Sequence, residues 1–155
     1  DARDPWGRNV SYLSRDGCRT PMQWTAGPNA GFTTGTPWLP VNLDTDETNV
    51  ETELTEPGSM LRLYIDLLQL RRDHAALTAD RFRVLDSSNG DVFAFERSGG
   101  NGESVVVALN FASDPCTVSV PTGHIVVSTS DRDSAEPVSD KVVLRPHEGV
   151  VIAER

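Results

Sequence analysis

The sequence predicts an α+β chain, in which one helix links a long irregular opening to an all-β antiparallel domain. Three observations carry that expectation. Residues 1–56 show neither a period of two nor one of 3.6, residues 57–74 repeat apolar side chains at helical spacing, and residues 82–155 break into short valine-rich runs.

The opening stretch is dense in Pro, Gly, Asn and Thr, yet it holds all three tryptophans, Trp6, Trp24 and Trp38. Disorder depletes aromatics, and an unstructured loop this long is abnormal inside a compact domain. The stretch therefore reads as an ordered loop that needs a larger body to lie on.

Residues 57–74 predict a helix, with Pro57 in the first turn and Thr55 or Ser59 as the cap. At ~100° per residue, the apolar positions Met60, Leu61, Leu63, Tyr64, Ile65, Leu67, Leu68 and Leu70 cover an arc of roughly 220°. A surface helix carries a narrower stripe, so burial on two sides is expected. Arg71 and Arg72 complement the C-terminal end of the helix dipole.

Beyond residue 81 the expected strands are Phe82–Leu85, Val92–Arg97, Ser104–Phe111, Thr117–Val120, Ile125–Ser128, Lys141–Leu144 and Gly149–Ala153. Between them stand Ser88-Asn89-Gly90-Asp91, Gly99-Gly100-Asn101-Gly102, Ser113-Asp114-Pro115 and Pro121-Thr122-Gly123, all turn chemistry. Short strands at this spacing predict an antiparallel sandwich or an open barrel.

Composition narrows the function. The 155 residues carry 14 Lys and Arg against 23 Asp and Glu, a net charge of −9, so neither nucleic acid nor a membrane surface is an expected partner. No apolar run approaches the ~20 residues of a membrane helix. The chain opens Asp1-Ala2-Arg3-Asp4 without a start methionine or a signal-peptide pattern, which reads as a cut chain. Cys18 and Cys116 sit in unrelated contexts, and two free, mostly buried thiols fit a reducing, cytoplasmic compartment. His74, His124 and His147 show no zinc spacing. Asp44-Thr45-Asp46 opens like a calcium loop, but Asn49 stands where glycine is required and Thr55 where the closing Glu belongs. The acidic run 44–56 reads as a solvated connector, and no metal or cofactor is expected.

The densest cluster is Asp4-Pro5-Trp6-Gly7, then Ser14–Trp24, then Gly31–Trp38. By residue type alone, Arg15 and Asp16 read either as a surface ion pair or as part of a sugar site. In the latter, indole faces stack on pyranose C–H faces while guanidinium and carboxylate groups fix hydroxyls.

Ser14-Arg15-Asp16-Gly17-Cys18-Arg19-Thr20-Pro21-Met22-Gln23-Trp24, with Gly31–Trp38, resembles a segment of the α-amylase superfamily, glycoside hydrolase family 13. It is most similar to the exo-acting α-glucosidase and oligo-1,6-glucosidase branch. The resemblance runs on through Leu61–Tyr64, Leu70–His74, Val106–Phe111 and Leu144–Gly149, covering nearly the whole chain but only the last quarter of a family member. Thr25 departs from the acidic residue that often follows the tryptophan.

The resemblance implies the end of a (β/α)8 barrel followed by a β-sandwich domain. Residues 1–81 would be the loop after the eighth strand and the closing helix, and residues 82–155 the sandwich. A whole barrel needs ~250 residues, so its remainder is an expected partner. Such enzymes are retaining, with two carboxyl groups ~5–5.5 Å apart, and relatives carry these on earlier strands. No catalytic residue is therefore assigned here, and Asp4 and Asp16 are not promoted to that role. Arg15 matches an arginine that, paired with an Asp from an early barrel loop, holds the non-reducing-end glucose of an α-glucoside substrate, a loop-bracing ion pair being the alternative; Asp16 and Arg19 would orient the loop. Met22, Gln23 and Trp24 read as packing. Rival readings are a non-catalytic binding or structural module and a glucosyl-transferring or isomerising relative.

Overall fold

The computed structural model describes residues 3–5, 14–87, 89–133 and 135–154; Trp6, Gly7 and Ser88 of the sequence motifs lie outside them. The chain forms two compact units, Asp1–Arg62 and Leu63–Arg155.

In the first unit the described backbone is irregular apart from short 3-10 turns at Asp16–Cys18 and Pro28–Gly31 and a helix, α1 (Val50–Thr55). The loop is held by hydrogen bonds rather than by a core. Trp24 and Thr25 donate backbone N–H groups to the Ala30 carbonyl, and the N–H groups of Val50 and Glu51 donate to the carbonyls of Gln23 and Trp24. Those last two satisfy donors that a helix start leaves open. Gln23 Nε2 donates to Thr48 O, and Asn42 Nδ2 donates to Gln23 Oε1 at 3.0 Å. The backbone turns sharply through Asn29, Ala30 and Gly31, all at positive φ. A Cβ at Gly31 would stand 2.9 Å from the Thr25 hydroxyl, so glycine is required there. The Thr25 hydroxyl also accepts the Gly27 N–H at 3.1 Å, so position 25 serves the turn without a carboxylate.

Among the described residues up to 56, the buried apolar side chains are Pro21, Ala30 and Leu39, whereas Met22, Trp24, Phe32 and Trp38 are exposed. The described residues of this stretch build no apolar core of their own.

The helix expected over 57–74 is present, and α1, which was not expected, precedes it. Asn49 caps α1 by accepting the Thr52 N–H at 3.0 Å, and the acidic Glu51 and Glu53 favour its positive N-terminal end. The run 44–56 is thus more than a solvated connector: Thr45 and Asn49 are buried, and Asn49 Nδ2 donates to Thr45 O. Helix α2 (Met60–Asp73) begins three residues later than expected. Pro57 disfavours helical backbone at Glu56, which is extended, and Gly58 sits at φ +79°. Ser59, not Thr55, caps α2. Its Oγ accepts the Arg62 N–H at 3.1 Å and donates to Glu53 O at 2.6 Å, while Glu53 Oε2 accepts the Leu61 N–H. The Thr55 hydroxyl donates back to Thr52 O.

The second unit holds most of α2 and the β-domain, with eight strands: β1 (Arg81–Leu85), β2 (Val92–Ser98), β3 (Ser104–Asn110), β4 (Cys116–Ser119), β5 (Gly123–Ser128), β6 (Pro137–Val138), β7 (Lys141–Leu144) and β8 (Gly149–Ala153). A six-stranded sheet runs β1-β2-β3-β8-β5-β6 and a two-stranded sheet pairs β4 with β7, every pairing antiparallel. This is a barrel end followed by a sandwich. The two-residue β6, which opens at Pro137, is not among the expected strands.

The core between the sheets is built from alternating residues: Val92 and Ala94 on β2, Val106 and Ala108 on β3, Val118 on β4, Val142 and Leu144 on β7, Val150 and Ile152 on β8. A second cluster of Ala76, Val105, Val151 and Ala153 gathers Leu70 and Leu77. It buries β3 and β8 on both faces, which explains their unbroken apolar runs. At the start of β5, a Cβ on Gly123 would lie 2.5 Å from the Ala153 carbonyl, so only glycine lets β5 approach β8 there.

Leu70 of α2 packs against the second cluster, while Met60, Tyr64 and Leu68 are each about 60% exposed and no residue of the helix is fully buried. The expectation for the cysteines fails in part. Cys18 is exposed while Cys116 is buried, and both are free.

Candidate functional site

Two loop segments meet around Asp4 and Arg15. Asp16 Oδ2 accepts the Arg3 N–H at 2.6 Å and its Oδ1 accepts the Asp4 N–H at 3.0 Å. In return, Asp4 Oδ2 accepts the Arg15 N–H at 3.0 Å. Two carboxylates thus tie a loop that has no regular ladder, each taking backbone donors from the opposite segment.

The side chain of Arg15 adds a fork. Its Nε donates to Asp4 Oδ2 at 2.6 Å and its Nη2 donates to Asp4 Oδ1 at 3.1 Å. The Asp4 side chain is fully buried, whereas that of Arg15 keeps 51% of its surface exposed. The hydrogen bond and charge of Asp4 hold the guanidinium above its ordinary pKa, so Arg15 is a permanent cation. The surface pair between Arg15 and Asp16 is not the one formed. The Arg15 carbonyl accepts the Cys18 Sγ–H, and Arg19, exposed, donates its backbone N–H to Asp16 O.

Of the sequence-singled residues, the fold brings Arg15 and Asp16 together and adds Asp4. Asp4 stood in the densest motif, but only as a carboxylate to be kept out of catalysis. Arg19 contributes its backbone to the turn. Met22 and Trp24 are half-exposed, while Gln23 is engaged in hydrogen bonds.

A second charged cluster lies inside the β-domain. Glu148, 1% exposed, accepts from Arg132 Nε at 2.6 Å and Nη2 at 2.7 Å, from the Arg145 N–H at 2.6 Å and from Ser128 Oγ at 2.9 Å. Burial alone would raise its pKa, but the bonds from Arg132, Arg145 and Ser128 outweigh it and hold the carboxyl at about 2. Arg132, held far above its ordinary value chiefly by Glu148, also donates from Nη1 to Glu136 at 3.0 Å. Every oxygen of the buried carboxylate is thereby occupied, which marks a brace for the loop before β6 rather than a reactive group.

Among the described residues no group of His, Cys, Asp and Glu is arranged to hold a metal, and no helix is long and apolar enough to cross a membrane.

Residues 3–80 match the family model for the α-amylase catalytic domain, half of the chain. The chain belongs to the α-amylase family. Residues 82–151 match the C-terminal domain of maltogenic amylase. Over 148 residues this α-amylase family chain is 35% identical to the oligo-1,6-glucosidase of Parageobacillus thermoglucosidasius, covering 92% of the chain and 26% of that protein. It is 36% identical to the glucan 1,6-α-glucosidase of Streptococcus pneumoniae, over 89% of the chain and 25% of the relative. Among solved structures, the trehalulose synthase MutB from Pseudomonas mesoacidophila superposes with a TM-score of 0.77 at 34% identity, covering 95% of this chain and 27% of that one. The isomaltulose synthase PalI from Klebsiella sp. LX3 superposes with a TM-score of 0.76 at 35% identity, over 92% and 26%. The chain spans about a quarter of the length of the relatives it matches.

Proposed function

We propose that this chain is the C-terminal part of a retaining enzyme acting on short α-glucosides such as maltose, isomaltose or sucrose. Residues 1–81 complete a catalytic barrel and residues 82–155 form the sandwich that braces it. The observation that carries the reading is the half-exposed Arg15 guanidinium, fixed on one edge by buried Asp4 and open on the other. In a family that processes α-glucosides, such a cation lines the glucose pocket and donates to sugar hydroxyls, while Asp16 and the backbone of Arg19 keep the loop in shape.

Retaining hydrolysis needs a nucleophile and an acid/base carboxyl ~5–5.5 Å apart across the scissile bond. Asp4 is buried under Arg15 and Asp16 is spent on backbone amides, so both are committed to other work. The reacting carboxyls belong to the remainder of the barrel, which also covers the exposed apolar face of α2 and, on the sheet, Phe82, Val84 and Phe93. Two free thiols support a cytoplasmic setting.

The test is direct. The purified 155-residue chain should release no 4-nitrophenol from 4-nitrophenyl α-glucoside above a mock preparation, and turnover would overturn the division of labour. A second reading, glucosyl transfer or isomerisation, is favoured by the likeness to trehalulose and isomaltulose synthases. Product analysis of the full-length enzyme on sucrose separates the two: glucose and fructose mean hydrolysis, while isomeric disaccharides mean isomerisation.

A further inference from the structure

We infer that Asp4 is the positioning residue for Arg15, setting which guanidinium edge meets the sugar. The inference rests on the reading of Arg15 as a sugar contact. A guanidinium offers five N–H donors in one plane. Asp4 takes the Nε–H and one Nη2–H side-on, and the same carboxylate oxygen that receives Nε also receives the Arg15 backbone N–H. Side chain and backbone of Arg15 are therefore locked to one anchor. Among the described residues Nη1 has no hydrogen-bond partner, so three N–H donors remain on the outer edge. They lie in one plane and suit two neighbouring hydroxyl oxygens of a pyranose.

The burial asymmetry fits this role. A surface pair would leave both groups wet, and an arginine serving only the loop would have both edges occupied. Here the acceptor is wholly out of solvent while half of the donor stays in it. The anchor is itself anchored, because the Asp4 N–H is held by Asp16 at 3.0 Å. Asp16 therefore acts on Arg15 through Asp4.

The experiment uses the full-length enzyme that carries this segment, with steady-state kinetics on 4-nitrophenyl α-glucoside. Asp4→Asn, whose amide group cannot accept both guanidinium donors, should raise KM roughly tenfold or more, with a smaller change in kcat. Asp4→Glu keeps the charge one methylene away and should restore part of the loss. Arg15→Ala should raise KM at least as far, and Asp4→Asn combined with Arg15→Ala should be no worse than Arg15→Ala alone. Wild-type KM in Asp4→Asn, beside a raised KM in Arg15→Ala, would overturn the inference and leave the sugar contact standing. Wild-type KM in Arg15→Ala would overturn both. Should Asp4→Asn fail to fold, Arg15→Lys decides, since lysine keeps the charge but cannot form the fork. A KM close to that of Arg15→Ala supports the inference, and one close to wild type overturns it.

Discussion

The carboxylate of Asp16 holds the backbone N–H of Asp4, at 3.0 Å to Oδ1. Asp4 in turn holds the N–H of Arg15, the neighbour of Asp16, so the two acidic residues clasp each other's segments. Like charges so placed would repel if left bare. Backbone amides on Asp16 and the Arg15 guanidinium on Asp4 supply the compensating donors. The clasp gives a loop without secondary structure a fixed shape, and everything inferred for Arg15 depends on it.

Asp16→Ala should open that clasp. The N–H groups of Arg3 and Asp4 lose their shared acceptor, and loss of hydrogen bonds to a charged group costs about 1–3 kcal/mol. Amide hydrogen exchange followed by NMR should show faster exchange at Arg3 and Asp4, with Arg15 next. Unchanged protection at these amides would mean that the carboxylate is not their support.

Glu148 should be among the most sensitive positions of the β-domain. Glu148→Ala leaves Arg132, Arg145 N–H and Ser128 without their acceptor, and breaking a buried pair from one side costs about 3–5 kcal/mol. Glu148→Gln keeps the shape and one acceptor oxygen and should lose less. Replacing Arg132 and Glu148 together by apolar residues should cost less than Glu148→Ala, because no charge is then stranded. Urea unfolding midpoints give the order.

The same carboxyl predicts the acid limb of stability. Its folded pKa of about 2 lies below the ordinary value of 4.5, so the folded state prefers the charged form. The contribution is complete above about pH 5 and is lost as pH falls towards 2, amounting to roughly 3 kcal/mol. Glu103, lowered by its hydrogen bond from His74, adds in the same direction. Urea unfolding at stepped pH should show this fall in wild type, and a flatter profile in Glu148→Gln.

How much of this was legible depends on whether the signal was local. The strands were readable because Gly99–Gly102 and Pro121–Gly123 punctuate valine-rich runs, alternating in burial on β7 and unbroken on β3 and β8. Helix α1 hid inside an acidic run with few apolar residues. Its signs were Asn49 ahead of Thr52 and two glutamates in the first turn, capping chemistry rather than periodicity. Pro57 misled because its effect falls on the residue before it. Arg15 and Asp16 stood out by family motif, but the Asp4–Arg15 fork spans eleven positions of loop with no period to fix the pairing. The Arg132–Glu148 pair is likewise set by how β5, β7 and β8 come together, a tertiary fact that residue spacing does not encode.

The apolar face of α2 offers the last prediction, because it separates a covered surface from a free one. Met60, Tyr64, Ile65 and Leu68 are exposed, Met60 at 63% and Leu68 at 59%, on a helix that ends in the Leu70 contacts of the β-domain. An exposed apolar face of this kind drives association unless something covers it. In the 155-residue chain, Met60→Glu with Leu68→Lys should therefore raise the monomeric fraction in analytical ultracentrifugation without lowering the unfolding midpoint, since no buried contact is removed. On the proposed reading, the same pair should cost stability in the full-length protein, because charges would then enter the surface where the rest of the barrel covers the helix. Equal tolerance in both contexts would show that the face is never covered, and would remove the support it lends to a barrel completed by this helix.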